Sequence, residues 1–143
     1  MPIEKLLRRP VTTLPPEASC AEAAAVLRDE NIGCVVVAEQ GRPIGVVTDR
    51  DLVVRVMACG EDPGKLQLNQ VMSGEPVYLG GERGLAQVIG TMREQGVRRL
   101  PVVDERGELE GLVSLDDLLL VLADELGALA DTVRGEIQAP DAT

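Results

Sequence analysis

The chain contains no histidine, no phenylalanine and no tryptophan, and only one tyrosine. Without histidine it lacks the commonest general base and the commonest zinc ligand, which weighs against catalysis from the outset. Cysteine is scarce as well. Cys20, Cys34 and Cys59 are odd in number and show no Cys-x-x-Cys spacing. A disulfide framework or a zinc site is therefore not expected, and reduced thiols in the cytoplasm are. Long apolar runs are missing. The longest, around Leu118–Ala123, is flanked by acids and falls short of the roughly 18 residues that span a bilayer. The N-terminal stretch MPIEKLLRRP has no apolar h-region, so no secretory leader and no membrane insertion are expected. Basic charge is short too: 14 Lys and Arg stand against 24 Asp and Glu, a net −10. Residues 1–72 hold −2 of it (8 basic, 10 acidic) and residues 73–143 hold −8 (6 basic, 14 acidic). Nucleic acid needs a basic surface, so it is not an expected partner.

What the chain does have is aliphatic residue. Apolar side chains make up 45% of its 143 residues, enough for a packed core of Val, Leu, Ile and Ala on pleated strands. It also has an internal repeat, the feature to look for first. Leu27–Val37 reads LRDENIGCVVV and Met92–Val102 reads MREQGVRRLPV. Ile44–Leu52 reads IGVVTDRDL and Glu110–Leu118 reads EGLVSLDDL. The offset is 65 residues for the first pair (27 to 92) and 66 for the second (44 to 110), so the second copy carries one extra residue in the intervening turn. Two such copies are too few for a solenoid but enough for halves that bury each other.

Local signals predict β-α-β-β-α in each copy. Val11–Leu14 starts a strand that Pro15-Pro16 ends. Ser19-x-x-Glu22 is a capping box for a helix over Ala21–Asp29, which Asn31 and Gly33 close. Cys34–Ala38 and Ile44–Val47 are strands around a Gly41-Arg42-Pro43 turn, and Thr48 caps a helix to about Ala58. Leu68–Met72 reads as a short linking helix. The second copy has a helix over Leu85–Gln95 and strands over Leu100–Val103 and Leu109–Val113. Its last helix starts after Ser114 and carries Leu115, Leu118, Leu119, Leu122, Leu126, Leu129 and Val133 at helical spacing. That stripe outruns its first-copy counterpart, so a subunit contact is expected. Gly135 to Thr143 reads as a frayed tail.

The chemistry-bearing motif is Thr48-x-x-Asp51 and Ser114-x-x-Asp117, placed where a strand turns into a helix. One reading is a plain helix cap. The other is a ligand site: the helix start and hydroxyl suit a phosphate, and the carboxylate suits a ribose diol.

The pieces IGCVVV, IGVVTDRDL, GVRRLPVVD and EGLVSLDDL together resemble the two motifs of a CBS-domain pair, named for cystathionine β-synthase, over about Leu6 to Leu122. The resemblance implies an α/β (α+β) fold of two β-α-β-β-α units packed sheet to sheet about a pseudo-twofold axis. Residues 7–66 and 67–126 would be the units, and 127–143 a helix end and tail. It implies two clefts that can hold an adenosyl ligand: AMP, ADP, ATP or S-adenosylmethionine, with Mg²⁺ if a polyphosphate. Carried onto this chain, one set is Thr48, Arg50 and Asp51 with Gly33, Cys34 and Val35; Thr12 or Thr13 supplies a hydroxyl at the strand start. The other is Ser114, Asp116 and Asp117 with Arg98, Arg99, Leu100 and Pro101. The matching strand start there, Val77-Tyr78-Leu79-Gly80-Gly81, lacks a threonine and brings a bulky Tyr78, so the clefts are expected to be unequal. Asp116 and Asp117 side by side would repel a triphosphate unless Mg²⁺ or an arginine intervened. The expected function is regulatory: a homodimeric, non-catalytic module with no obligatory cofactor and no metal site, signalling to an unknown partner protein. The alternative is a structural or oligomerisation module whose clefts stay empty.

Overall fold

Strand β2 (Cys34–Glu39) is buried on both faces, and the pleat sends its side chains to two different cores. Val35 and Val37 join a cluster with Cys20, Ala23 and Leu27 of helix α1 (Cys20–Glu30). Cys34 and Val36 point the other way, into a second cluster with Leu112 of the second copy. That alternation makes a two-layer unit whose open sheet face is covered by another sheet. The computed structural model describes residues 3–73, 77–78 and 84–138, and in it each copy forms a three-stranded sheet.

In the first copy β1 (Thr13–Leu14) runs parallel to β2, and β2 pairs antiparallel with β3 (Arg42–Thr48). Helix α1 starts on Ser19, whose hydroxyl accepts the Glu22 N–H at 3.0 Å. It ends on Asn31, which adopts the left-handed conformation at φ 53°. The β2–β3 turn is not Gly41-Arg42-Pro43. Glu39 pairs with Arg42, so the loop is Gln40-Gly41, both at positive φ (53° and 79°), as a tight hairpin requires; Arg42 and Pro43 belong to β3. After β3 the chain makes a short α-helical turn, α2 (Asp49–Asp51), and continues as a π-helical stretch over Leu52–Met57. The linker contains a 3₁₀ turn at Leu68–Gln70.

The second copy repeats the plan with β4 (Val77–Tyr78), α3 (Gly84–Gln95), β5 (Arg99–Val103), β6 (Leu109–Ser114) and α4 (Leu115–Gln138). Both hairpins shift register at matching points, Val37/Ala38 and Val102/Val103, and the extra residue of the second copy lies beyond them. Val88, Met92, Leu100, Val102, Val113 and Leu118 form its core. The tail begins later than expected: α4 runs to Gln138, and the residues after it lie outside the described part. Among the described residues no helix is long and apolar enough to cross a membrane.

Two linking segments cross over. The segment before the second copy packs on the first: Leu68 and Val71 enter its core, and Ser73 bridges to Val46 of β3. The segment before the first copy packs on the second: Leu6 enters its core, and Arg8 bridges to Leu112 of β6. The 65-residue step from Arg8 to Ser73 makes them counterparts.

Candidate functional site

At the start of α2, Thr48 and Asp51 close a reciprocal cap: the Asp51 N–H donates to Thr48 Oγ1 at 3.1 Å and the Thr48 N–H donates to Asp51 Oδ2 at 2.9 Å. The cap reading of this motif therefore holds. It leaves Asp51 Oδ1 3.8 Å from Arg55 Nε, too long for a hydrogen bond, while Arg55 Nη1 is committed to the Val71 carbonyl at 2.9 Å.

This corner opens on a cleft of about 570 Å³ that both copies line. Thr48, Asp49, Arg50, Asp51 and Arg55 come from the first copy, Ser73 from the linker, and Gln95, Gly96, Val97, Arg98, Arg99 and Asp116 from the second. The volume lies within the range that takes a small organic ligand. Arginines hold one wall. Arg98 donates to Asp116 at 2.8 Å, whereas Arg50 and Arg99 make no ion pair with a described residue. Arg99 reaches across to the first copy: a Cβ built on Gly33 would lie 3.0 Å from its Nη2. Gly33 in turn accepts the Asp49 N–H through its carbonyl at 3.0 Å.

The sequence motifs are thus assembled across the copies. Thr48, Arg50 and Asp51 of one set share a cleft with Arg98, Arg99 and Asp116 of the other. Gly33 sits at its edge. Cys34, Val35, Leu100 and Pro101 have buried side chains that pack in the interior, so only their backbone is available to a ligand. Burial pushes the Cys34 thiol up, the nearby Arg99 opposing, and it behaves as a small apolar residue. Thr12 and Thr13 lie apart from this cleft. Thr12 Oγ1 donates to Glu30 Oε1 at 2.7 Å, and Thr13 lines a separate depression with Leu14, Pro15, Ala38, Gly41, Glu108 and Leu109. The side chain of Tyr78 and the strand-start residues Leu79-Gly80-Gly81 lie outside the described part.

Ser114 and Asp117 do not join the cleft. The Asp117 N–H donates to Ser114 Oγ at 3.1 Å, repeating the cap. Both carboxylate oxygens, however, are taken by Arg8, with Nε to Oδ2 at 2.7 Å and Nη2 to Oδ1 at 2.8 Å. The hydrogen bond with Arg8 holds the Asp117 carboxyl below its ordinary pKa, and the Arg8 guanidinium is raised in return. The acid pair is neutralised by two arginines, one per acid.

A family model described as "CBS domain" matches residues 3–58 and 68–124. A CBS domain-containing protein of Bacillus subtilis is 38% identical over 108 residues, covering 76% of each chain. An uncharacterized protein of Methanopyrus kandleri is 34% identical over 120 residues, 83% of this chain; the match spans only 61% of that relative's length. A CBS domain protein from Pyrobaculum aerophilum, solved as a complex with AMP, superposes with a TM-score of 0.72 at 29% identity, over 87% of this chain and 99% of that one.

Proposed function

The chain belongs to the CBS-domain family, with two copies in tandem, and we propose that it is a non-catalytic sensor that takes one adenosyl monophosphate per chain in the cleft between them. The single observation that carries this is the cleft's composition. A helix start with Thr48 and Asp51, whose Oδ1 has only the 3.8 Å ion pair with Arg55, shares the cleft with Arg50 and Arg99, which make no ion pair with a described residue. The carboxylate suits a ribose diol, and the guanidiniums suit a phosphate. Two uncommitted cations match a monophosphate better than a triphosphate, which would call for Mg²⁺. The AMP-bound relative supports the same ligand class.

Occupancy would be read out through the cleft's two walls. A ligand touching both copies favours the arrangement in which they hold it together and so shifts the population of that arrangement. A regulated partner protein would respond to the shift. Cys59 is an exposed free thiol, which supports a reducing, cytoplasmic setting.

A specific observation favours a second component of this reading, assembly as a homodimer. In α4, Leu115, Leu122 and Leu129 recur every seven residues, as do Leu119, Leu126 and Val133. They form the apolar positions of a heptad. Leu119, Leu126, Leu129 and Val133 are 54%, 67%, 64% and 54% exposed. Asp117, Asp124 and Asp131 recur with the same period on the opposite side. A second copy laid along the seam would keep its aspartates on the far side too. If the cleft stays empty, this seam is what remains of the function: an assembly module.

The test is thermal unfolding with AMP, ADP, ATP, S-adenosylmethionine and NAD. A native-state ligand at about 100 times its Kd adds about 2.7 kcal/mol, a rise on the order of 8 °C for a chain this size. AMP is expected to give it, and Asp51→Ala to abolish it. No shift with any of the five would overturn the sensor reading and leave the assembly module.

A further inference from the structure

We infer that Arg8 is the residue that confines ligand to one cleft: it fills the second copy's diol site from within the chain, and Ser73 leaves the first copy's open. This rests on the reading of Asp51 as the ligand's anchor.

The inference starts from the crossed-over segments. Ser73 and Arg8 occupy the same place in the two halves. Ser73 exchanges two backbone hydrogen bonds with Val46, and Arg8 exchanges two with Leu112. Val46 and Leu112 are themselves counterparts, 66 residues apart. The residue before each bridge packs on the glycine of the repeated motif. A Cβ on Gly45 would lie 2.8 Å from Met72 Sδ, and a Cβ on Gly111 would lie 2.9 Å from Leu7 Cβ. The backbone geometry is thus repeated, and the side chain is what differs.

In the second copy that side chain meets the motif's carboxylate. Ser73 is short and lines the open cleft beside Asp51. Arg8 is long enough to reach Asp117 and engages it through two parallel hydrogen bonds of 2.7 and 2.8 Å. A ribose diol needs the same two oxygens as acceptors. An arginine that holds both takes the pair of in-plane acceptor sites, one on each oxygen, that a diol would use for a two-point contact. Leu6, buried in the second core, and the paired backbone of Arg8 keep the guanidinium at this position, so a ligand has to compete with a tethered group at high local concentration.

The counterpart relation supplies its own experiment, an exchange of the two side chains. AMP is titrated by calorimetry into the wild-type chain, Arg8→Ser, Ser73→Arg and the double exchange, with melting temperatures recorded for each. The expected stoichiometries are one, two, none and one AMP per chain. In the double exchange the remaining site depends on Asp117 and no longer on Asp51. Arg8→Gln, which keeps much of the side chain's length, replaces the serine variant if that fails to fold. Ser73→Arg tests the same inference without touching Arg8. Two AMP in the wild type would overturn the inference, as would a single AMP in a folded Arg8→Ser or Arg8→Gln. Loss of all binding in those variants would show that Arg8 itself holds the phosphate, and would overturn it too. The first two of these outcomes leave the first cleft as a ligand site, whereas the last moves the ligand to the second copy's site and overturns the first-cleft reading as well. Binding by Arg8→Ser but none by the wild type would instead overturn the first-cleft reading and uphold the role of Arg8. No binding by any of the four would overturn both.

Discussion

Replacing Leu126 with alanine is expected to weaken self-association and to leave the protomer's own stability unchanged. Leu126 sits at the centre of the α4 seam, with Leu122 and Leu129 on either side, and is 67% exposed in the single chain. Full burial of a leucine is worth about 1.5–3 kcal/mol, so covering the exposed two thirds contributes about 1–2 kcal/mol. A twofold dimer loses it twice, about 2–4 kcal/mol. At 1.4 kcal/mol per decade the dimer dissociation constant rises by roughly 30- to 1,000-fold. Alanine is at least as good a helix former as leucine, so helix content should not fall. From Leu122 to Gly135 every residue except Ala130 is exposed, which leaves the protomer few contacts to lose there. Sedimentation equilibrium over a concentration series reads the dimer, and thermal unfolding at a concentration where the chain is monomeric reads the protomer. Asp124→Ala, on the opposite side of the helix, serves as the control and should change neither. A wild-type chain that stays monomeric at hundreds of micromolar would refute the seam. So would a Leu126→Ala protomer that melts several degrees lower, because Leu126 would then be packed within its own chain.

Two further changes test the strap that carries Arg8. Asp117 has its carboxyl pKa lowered by Arg8, so its contribution is present above the unfolded-state value, about 3.9, and is lost as pH falls through the lower folded-state value. Arg8→Ser should therefore cost about 1 kcal/mol at pH 7, a figure kept small because Arg8 is 67% exposed. The difference from wild type in urea titrations should close as the pH is taken below 4; a gap that persists at acid pH would show that the loss is packing and not charge. Gly111→Ala would set a Cβ 2.9 Å from Leu7 Cβ and 3.1 Å from the Arg8 carbonyl oxygen. Neither atom is the free end of a side chain, so the strap must move, at a cost of about 1–3 kcal/mol. Calorimetry on this variant should find the second AMP site that Arg8→Ser opens, and a stability equal to wild type would count against the strap's close packing.

Periodicity and caps were legible where the determining residues are neighbours in sequence. The doubled Gly-Val-Val-Thr and Gly-Leu-Val-Ser strands, the Ser19 cap and the Thr48/Asp51 cap all rest on contacts within a few residues. The hairpin turn was misplaced by a residue or two because Gln40, with no special tolerance for positive φ, takes a position that glycine or asparagine usually marks. The π-helical stretch over Leu52–Met57 leaves no mark in an aliphatic run that suits any helix. Thr12 looked like a free hydroxyl because its partner, Glu30, lies 18 positions away. Asp117 looked like the equal of Asp51 because the arginine that occupies it is 109 positions away.

That last distance bears on how one half of a duplicated fold comes to differ from the other. The two motifs are alike within each copy: a hydroxyl cap, an acid three residues on, a glycine under the crossing segment. The segment that faces each motif, however, comes from outside that copy. Ser73 reaches the first copy from the linker, while Arg8 reaches the second from the chain's beginning. A change at Arg8 or Ser73 bears on one cleft without altering the core of the copy that contains it, since the core is reached by other residues of these segments, Leu6 in one and Leu68 and Val71 in the other. Selectivity can then be adjusted at a half-exposed position at little cost to folding. The expected inequality of the clefts was sought in the strand start around Tyr78. Under the role proposed for Arg8, the difference lies instead in a single side chain that one segment has and its counterpart lacks.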